Sequence, residues 1–156
     1  MFSLDISAVT GKTHVRYLRE HVARARKLIQ APLRELSLAL VGDRKMADLH
    51  QQFMNIPGPT DVLTFELDHD EQGRAVAGEV ILCVPYATRQ AKKTGVPVRN
   101  ELLLYAIHGM LHLCGFDDRT QRDFAQMHQR EDSILKRLGV GAVFYSGGDG
   151  KTGGSR

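Results

Sequence analysis

The sequence has no tryptophan, only two cysteines, and no apolar stretch of membrane-spanning length. Cys83 and Cys114 are far apart and form no CxxC pair, which argues against a zinc ribbon or a disulfide-stapled scaffold and suggests a reducing compartment. A bilayer-crossing helix needs about 20 consecutive apolar residues. With none in view, and with an opening, MFSLDISAVTGK, that lacks the basic-then-apolar order of a secretory signal, the expectation is a cytoplasmic protein without membrane contact. Charge of one sign is also modest. The 21 Lys and Arg against 18 Asp and Glu leave +3, compatible with a polyanionic partner without requiring one. At 156 residues the chain fits one domain that can bury a core without help from a metal.

Periodicity sketches the rest. FSLDIS (residues 2–7) alternates as a half-buried strand. A helix over residues 13–29 follows, with Val15, Leu18, Val22, Ala25 and Ile29 as its core stripe and Arg16, Arg19, Arg24, Arg26 and Lys27 as a solvated face. ELSLALVGD (35–43) reads as a strand, with Asp43 placed to cap a helix that runs to about Met54. NIPGPT must turn, and DVLTFEL (61–67) is a β-rich strand. The polar loop DHDEQGRA then leads to VAGEVILCV (76–84), nearly continuous in apolar residues and so a central strand. Pro85 suits the first turn of a helix ending near Gly95. The most apolar helix spans 98–114 with Gly115 as its stop, and a last amphipathic helix covers about 120–138. From Ser146, SGGDGKTGGSR has nothing to pack and is expected to be disordered, leaving residues 1–145 as the single domain. The fold class expected is α+β, with a small mixed sheet packed by helices.

On the apolar helix lies HGMLHLCGFDD (108–118). Residues four apart on a helix sit nearly one above the other, so His108 and His112 can present imidazoles to one ion. After Gly115 reverses the chain, Asp118 can return over the open side of that ion. Two imidazoles and a carboxylate would leave a fourth tetrahedral position free, as a catalytic zinc requires. A histidine pair at this spacing is by itself commonly a surface or core pair; the apolar setting, the glycine and the carboxylates favour the metal. Asp117 is the lesser ligand candidate. Cys114, about 200° around the helix from His112, should point away and pack as a small hydrophobe. His128 is expected as an exposed surface histidine, and His50 and His69 as surface residues, with His50 within reach of a neighbouring cleft.

The chain resembles the YbeY endoribonucleases, whose signature is HGxLHLxGYDH. GPTDVLTFEL is similar to the family's PTDVLSF strand, AGEVILCVPYATRQA to its GDIxIS strand and following helix, and NELLLYAIHG to its ELxxLxxHG lead-in, so that the likeness covers roughly residues 36–138. It implies a zincin-like domain and metal-dependent cleavage of single-stranded RNA, in 3′-end maturation of small-subunit ribosomal RNA and in ribosome quality control. Two positions depart from the family pattern. Asp118 stands where the family has its third histidine, a harder ligand that loosens the preference for zinc towards other divalent ions. Met54 stands where the family's LNxxYR pattern has an arginine suited to gripping phosphate.

Gly109 occupies the position where helical zinc peptidases carry their general-base glutamate. A phosphodiester can be hydrolysed by a metal-activated water without that base, whereas a peptidase needs an acid for its leaving amine. The motif therefore argues modestly against proteolysis and is neutral towards phosphodiester hydrolysis; the resemblance puts the nuclease first, with a zinc metallopeptidase-like hydrolase or a non-catalytic ribosome-associated metal-binding factor as alternatives. Other carboxylates could serve as the base, Asp117 above all, though it is a weak candidate. Arg44, Lys45, Arg89, Lys92, Lys93 and Arg99 could together form a basic rim that follows the RNA backbone.

Overall fold

The structure, a computed structural model, describes residues 1–141, so the expected tail from Ser146 and the last residues of the expected domain lie outside the described residues. The described chain runs β1 (Ser3–Ala8), a 3₁₀ turn (Lys12–His14), α1 (Val15–Lys27), β2 (Glu35–Val41), α2 (Asp43–Met54), β3 (Val62–His69), β4 (Ala75–Cys83), α3 (Val84–Thr94), α4 (Val98–Leu113) and α5 (Gln121–Arg137). The sheet order is β1-β2-β4-β3. β2 lies parallel to both β1 and β4, and β3 returns antiparallel to β4, giving the mixed sheet of an α+β domain.

β4 is central, and every residue in it except Glu79 is buried, as its apolar run demands. β3 is an edge strand. Its burial fades from Val62 and Leu63 to an exposed end, so only its first half is held by packing. The strand continues to His69, beyond its expected end at Leu67, because Asp70 ties the hairpin: its carboxylate accepts from the Gln72 and Arg74 amides, each at 2.9 Å.

α4 is hydrophobic all round because it is enclosed by α1, α3, α5 and the β3 and β4 strands. Leu102, Leu103, Leu104, Tyr105 and Ile107 are each fully buried, and each such side chain contributes roughly 1.5–3 kcal/mol through burial alone. Apolar packing therefore fixes this helix. At Gly109 the approach to the sheet is so close that an added Cβ would sit 2.7 Å from Val80 Cγ1 and 3.2 Å from Thr64 Oγ1. A glutamate has no room here, which is the local reason the peptidase base is missing.

Three expectations need correction. Gly42, not Asp43, is the N-cap of α2; Asp43 opens the first turn, and its carboxylate is drawn off by Arg89, whose two guanidinium nitrogens donate to it at 2.9 Å each. Arg26 is not part of a solvated face. Its Nε, Nη1 and Nη2 donate to the carbonyls of Leu33, Ile29 and Ala31 at 2.7, 2.8 and 2.7 Å, tying the α1–β2 loop whose backbone acceptors would otherwise lack donors. His50 is buried, not on the surface, and its Nδ1 pairs with the Gly58 carbonyl at 2.9 Å, pinning the NIPGPT turn to α2.

Candidate metal centre

His108 and His112 stand on successive turns at the end of α4. Gly115, at φ +100°, takes the left-handed conformation that ends the helix. The Phe116 amide donates to the Leu111 carbonyl at 2.9 Å and the Gly115 amide to the His112 carbonyl at 3.1 Å, a Schellman closure. That turn swings residues 116–118 back over the histidines. Thr120 then caps α5 by accepting from the Asp123 amide at 3.0 Å, fixing the direction in which the chain leaves.

The result is a triangle of donor atoms. His108 Nε2 and His112 Nε2 are 3.1 Å apart, and Asp118 Oδ2 lies 3.5 Å from each. A tetrahedral ion bound at about 2.0–2.2 Å separates its ligand atoms by about 3.3–3.6 Å, so the three atoms fit one face of such an ion. Among the described residues this is the group of three that could hold a metal. Burial pushes the Asp118 carboxyl up, but the His108 and His112 imidazoles beside it outweigh that and hold it well below the usual carboxylate range. It is thus an anion wherever the imidazoles are available as ligands.

The far side of His108 is occupied too. Its Nδ1 pairs with Glu131 Oε2, and the other oxygen of Glu131 takes His128 Nδ1 at 2.8 Å. All three residues are buried, so the expectation of an exposed His128 is wrong: it faces α4 from within α5, edge-on to Phe124. Glu131 went unremarked in the sequence, although a signal was there. It lies at helical spacing with Met127, Ile134, Leu135 and Leu138, on the face that α5 buries. A carboxylate at a core position calls for a partner.

On the open side, His112 and Asp118 border a cavity of about 350 Å³ that is walled by the first half of β3 and by Met54. None of the six basic residues of the expected rim lines it. Arg89 is paired with Asp43, and Arg99 lies over the Tyr17 ring, 5.1 Å from its centroid. Asp117 does not join the triangle: it accepts from Arg119 Nε and from the Asp118 amide, each at 2.7 Å, and the Arg119 guanidinium holds its carboxyl below the ordinary range. A carboxylate so engaged is a weak base. Both thiols are free and pushed up by burial, Cys83 to about 12, and Cys114 packs against the core rather than joining the donor set.

Fold and site together define a small α+β domain that carries a His-His-Asp group able to hold a metal ion. The chain belongs to the YbeY family: the profile described as Endoribonuclease YbeY matches residues 4–139. Among similar proteins, Endoribonuclease YbeY of Rhodococcus opacus (strain B4) is 38% identical over 113 residues, which are 67% of this chain and 63% of that protein. Endoribonuclease YbeY of Thermobifida fusca (strain YX) is 37% identical over 145 residues, covering 85% of this chain and 92% of the relative. A solution structure of a Thermotoga maritima protein superposes with a TM-score of 0.59 at 24% identity, covering 98% of this chain and 99% of the other. That likeness supports the shared architecture. No helix among the described residues is long and apolar enough to cross a membrane.

Proposed function

We propose that the protein is a metal-dependent endoribonuclease that cuts single-stranded RNA, and that its substrate is ribosomal RNA, at the 3′ end of the small-subunit molecule. One observation carries the reading: in a chain of the YbeY family, two Nε2 atoms and one carboxylate oxygen converge at 3.1–3.5 Å beside an open cavity. His108, His112 and Asp118 would hold one divalent ion, zinc first by the two imidazoles, with manganese and its neighbours admitted by the carboxylate. Such an ion supplies Lewis acidity towards a phosphoryl oxygen and acidifies a water.

The chain's own residues do the rest. His108, fully buried, and the partly exposed His112 and Asp118 present their donor atoms on one side only, so a phosphodiester must approach through the cavity beside Met54. With Gly109 pressed on Val80, no side chain from that position offers a base or a proton to a leaving amine, which disfavours peptide hydrolysis. Partners on this reading are single-stranded RNA and the small ribosomal subunit, and two free cysteines suit the reducing cytoplasm.

The test is cleavage of a single-stranded RNA matching the small-subunit 3′ end, by protein stripped of metal and then reloaded with zinc or manganese, alongside His108→Ala. Cleavage that needs the ion and His108 is expected. An ion that binds and raises thermal stability while no RNA is cut would sink the enzymatic reading and leave a ribosome-associated binding factor.

A further inference from the structure

Glu131 is a fully buried carboxylate on α5, facing the imidazole of His108 on α4 with one oxygen and that of His128 with the other at 2.8 Å. A charge taken out of water is costly unless it is paired and hydrogen-bonded. Two ring N–H groups, each at Nδ1, are among its donors. When Nδ1 of His108 carries the proton, its Nε2 is left with a lone pair, and that atom is the one lying 3.1 Å from His112 Nε2 and 3.5 Å from Asp118 Oδ2.

We propose that Glu131, itself oriented by His128, is the positioning residue of the site, holding His108 in the tautomer and ring orientation that aims its Nε2 lone pair at the point shared with His112 and Asp118. The inference rests on the reading of those three residues as metal ligands. Metal-ligating histidines commonly donate their other ring N–H to a carboxylate, which raises the basicity of the coordinating nitrogen. In this protein the carboxylate is delivered by α5, whose course is set by the Thr120 cap just after Asp118. The turn that brings in the third donor therefore also brings in the support for the first.

A positioning role and a purely structural one differ in where the effect appears. Glu131 gains when positive charge arrives at Nε2 of His108, so the anion and the ion stabilise each other. The metal-free protein gains nothing of this and bears the cost of the buried charge. Glu131→Gln keeps the shape and an acceptor for His108 while removing the charge. Zinc affinity of the chelator-stripped full chain, measured against a chromogenic chelator, should fall by about 10- to 100-fold. The melting temperature of the stripped protein should hold or rise. His128→Asn keeps an N–H near the position of Nδ1 and should bind zinc within about threefold of wild type, while His128→Leu, which removes that donor, should bind more weakly than His128→Asn.

Equal zinc affinity in Glu131→Gln and wild type overturns the proposal. So does a loss of stability in the stripped Glu131→Gln protein with affinity unchanged, the mark of a structural residue. Should Glu131→Gln fail to fold, the His128 pair decides, and equal affinities for Asn and Leu overturn the proposal. A wild-type protein that binds no divalent ion overturns both this inference and the metal reading beneath it. Affinities that shift as expected with no RNA cleavage overturn only the nuclease reading.

Discussion

Asp118 Oδ2 lies 3.5 Å from His112 Nε2, although the two residues belong to different segments, one to the last turn of a helix and the other to the loop beyond it. The contact is made by the Gly115 turn, and it puts a carboxylate where the YbeY pattern has a third histidine. A carboxylate oxygen is a harder donor than an imidazole. Asp118→Ala, which on the proposed reading removes one of three ligands, should cut zinc affinity by tenfold or more. Asp118→His should keep zinc but lower the affinity for manganese relative to zinc. Competition titrations of the two ions against each variant check both outcomes; an unchanged manganese-to-zinc ratio in Asp118→His would show that Asp118 does not set the preference.

Gly109 meets the sheet at Val80 with no space for a methyl group. Gly109→Ala gains helix propensity, at most about 1 kcal/mol, but must push α4 off β4 or force Val80 from its rotamer, which costs about 1–3 kcal/mol. Overpacking wins. The melting temperature should drop by roughly 2–4 °C per net kcal/mol at this chain length, and the same variant should lose metal affinity if the helix shifts, because His108 is its immediate neighbour. An unchanged melting temperature would mean that α4 sits further from the sheet than described.

Met54 borders the cavity together with His112 and Asp118, and its side chain is half exposed. Introducing a cation there restores the charge that the family pattern carries. Met54→Arg should tighten binding of a short single-stranded RNA and steepen the fall of log K with log salt by about 0.7 if one further phosphate is neutralised. Fluorescence anisotropy across a salt series, with EDTA present to prevent cleavage, measures the slope. A tighter complex with an unchanged slope would place the new arginine on a base or ribose instead of a phosphate.

What the residues revealed in advance is what short-range pattern can carry. The mixed fold, the buried helix α4, the central strand β4 and the spacing of His108 and His112 all follow from apolar periodicity and helix geometry. Partnerships across elements do not. Whether Arg26 faces water or caps a loop depends on where residues 29–33 turn, and His128 is buried because α5 folds back on α4, which no local window shows. Glu131 stands on the apolar stripe of α5, so its burial was legible locally, but its partner His108, 23 positions away, was not. Sheet order has a similar origin: β4 inserts between β2 and β3 through a hairpin and a crossover, a long-range choice. The conformation of Gly115 was readable because its cause lies within one turn.

The pair Asp43–Arg89 links the start of α2 to α3 with two 2.9 Å hydrogen bonds. The Arg89 guanidinium leads in holding the Asp43 carboxyl below its ordinary value of 3.8, and burial opposes it. In the unfolded chain the carboxyl protonates first as pH falls, while in the folded protein it stays ionised to lower pH. The contribution to stability is therefore fully present above about pH 4 and is lost as pH drops through the folded value. Both side chains are about half exposed, at 51% and 43%, so solvent screening limits the pair to about 0.5–1 kcal/mol despite its two-point geometry. Asp43→Asn should be less stable than wild type by that amount at pH 7, with the gap narrowing steadily below pH 4 and also in 1 M salt, where the Debye length is about 3 Å. Urea midpoints of the two proteins at pH 7 and pH 3 provide the comparison. A gap that persists at low pH and high salt would mean that Asp43 stabilises by packing or by its place in the first turn of α2, not by its charge.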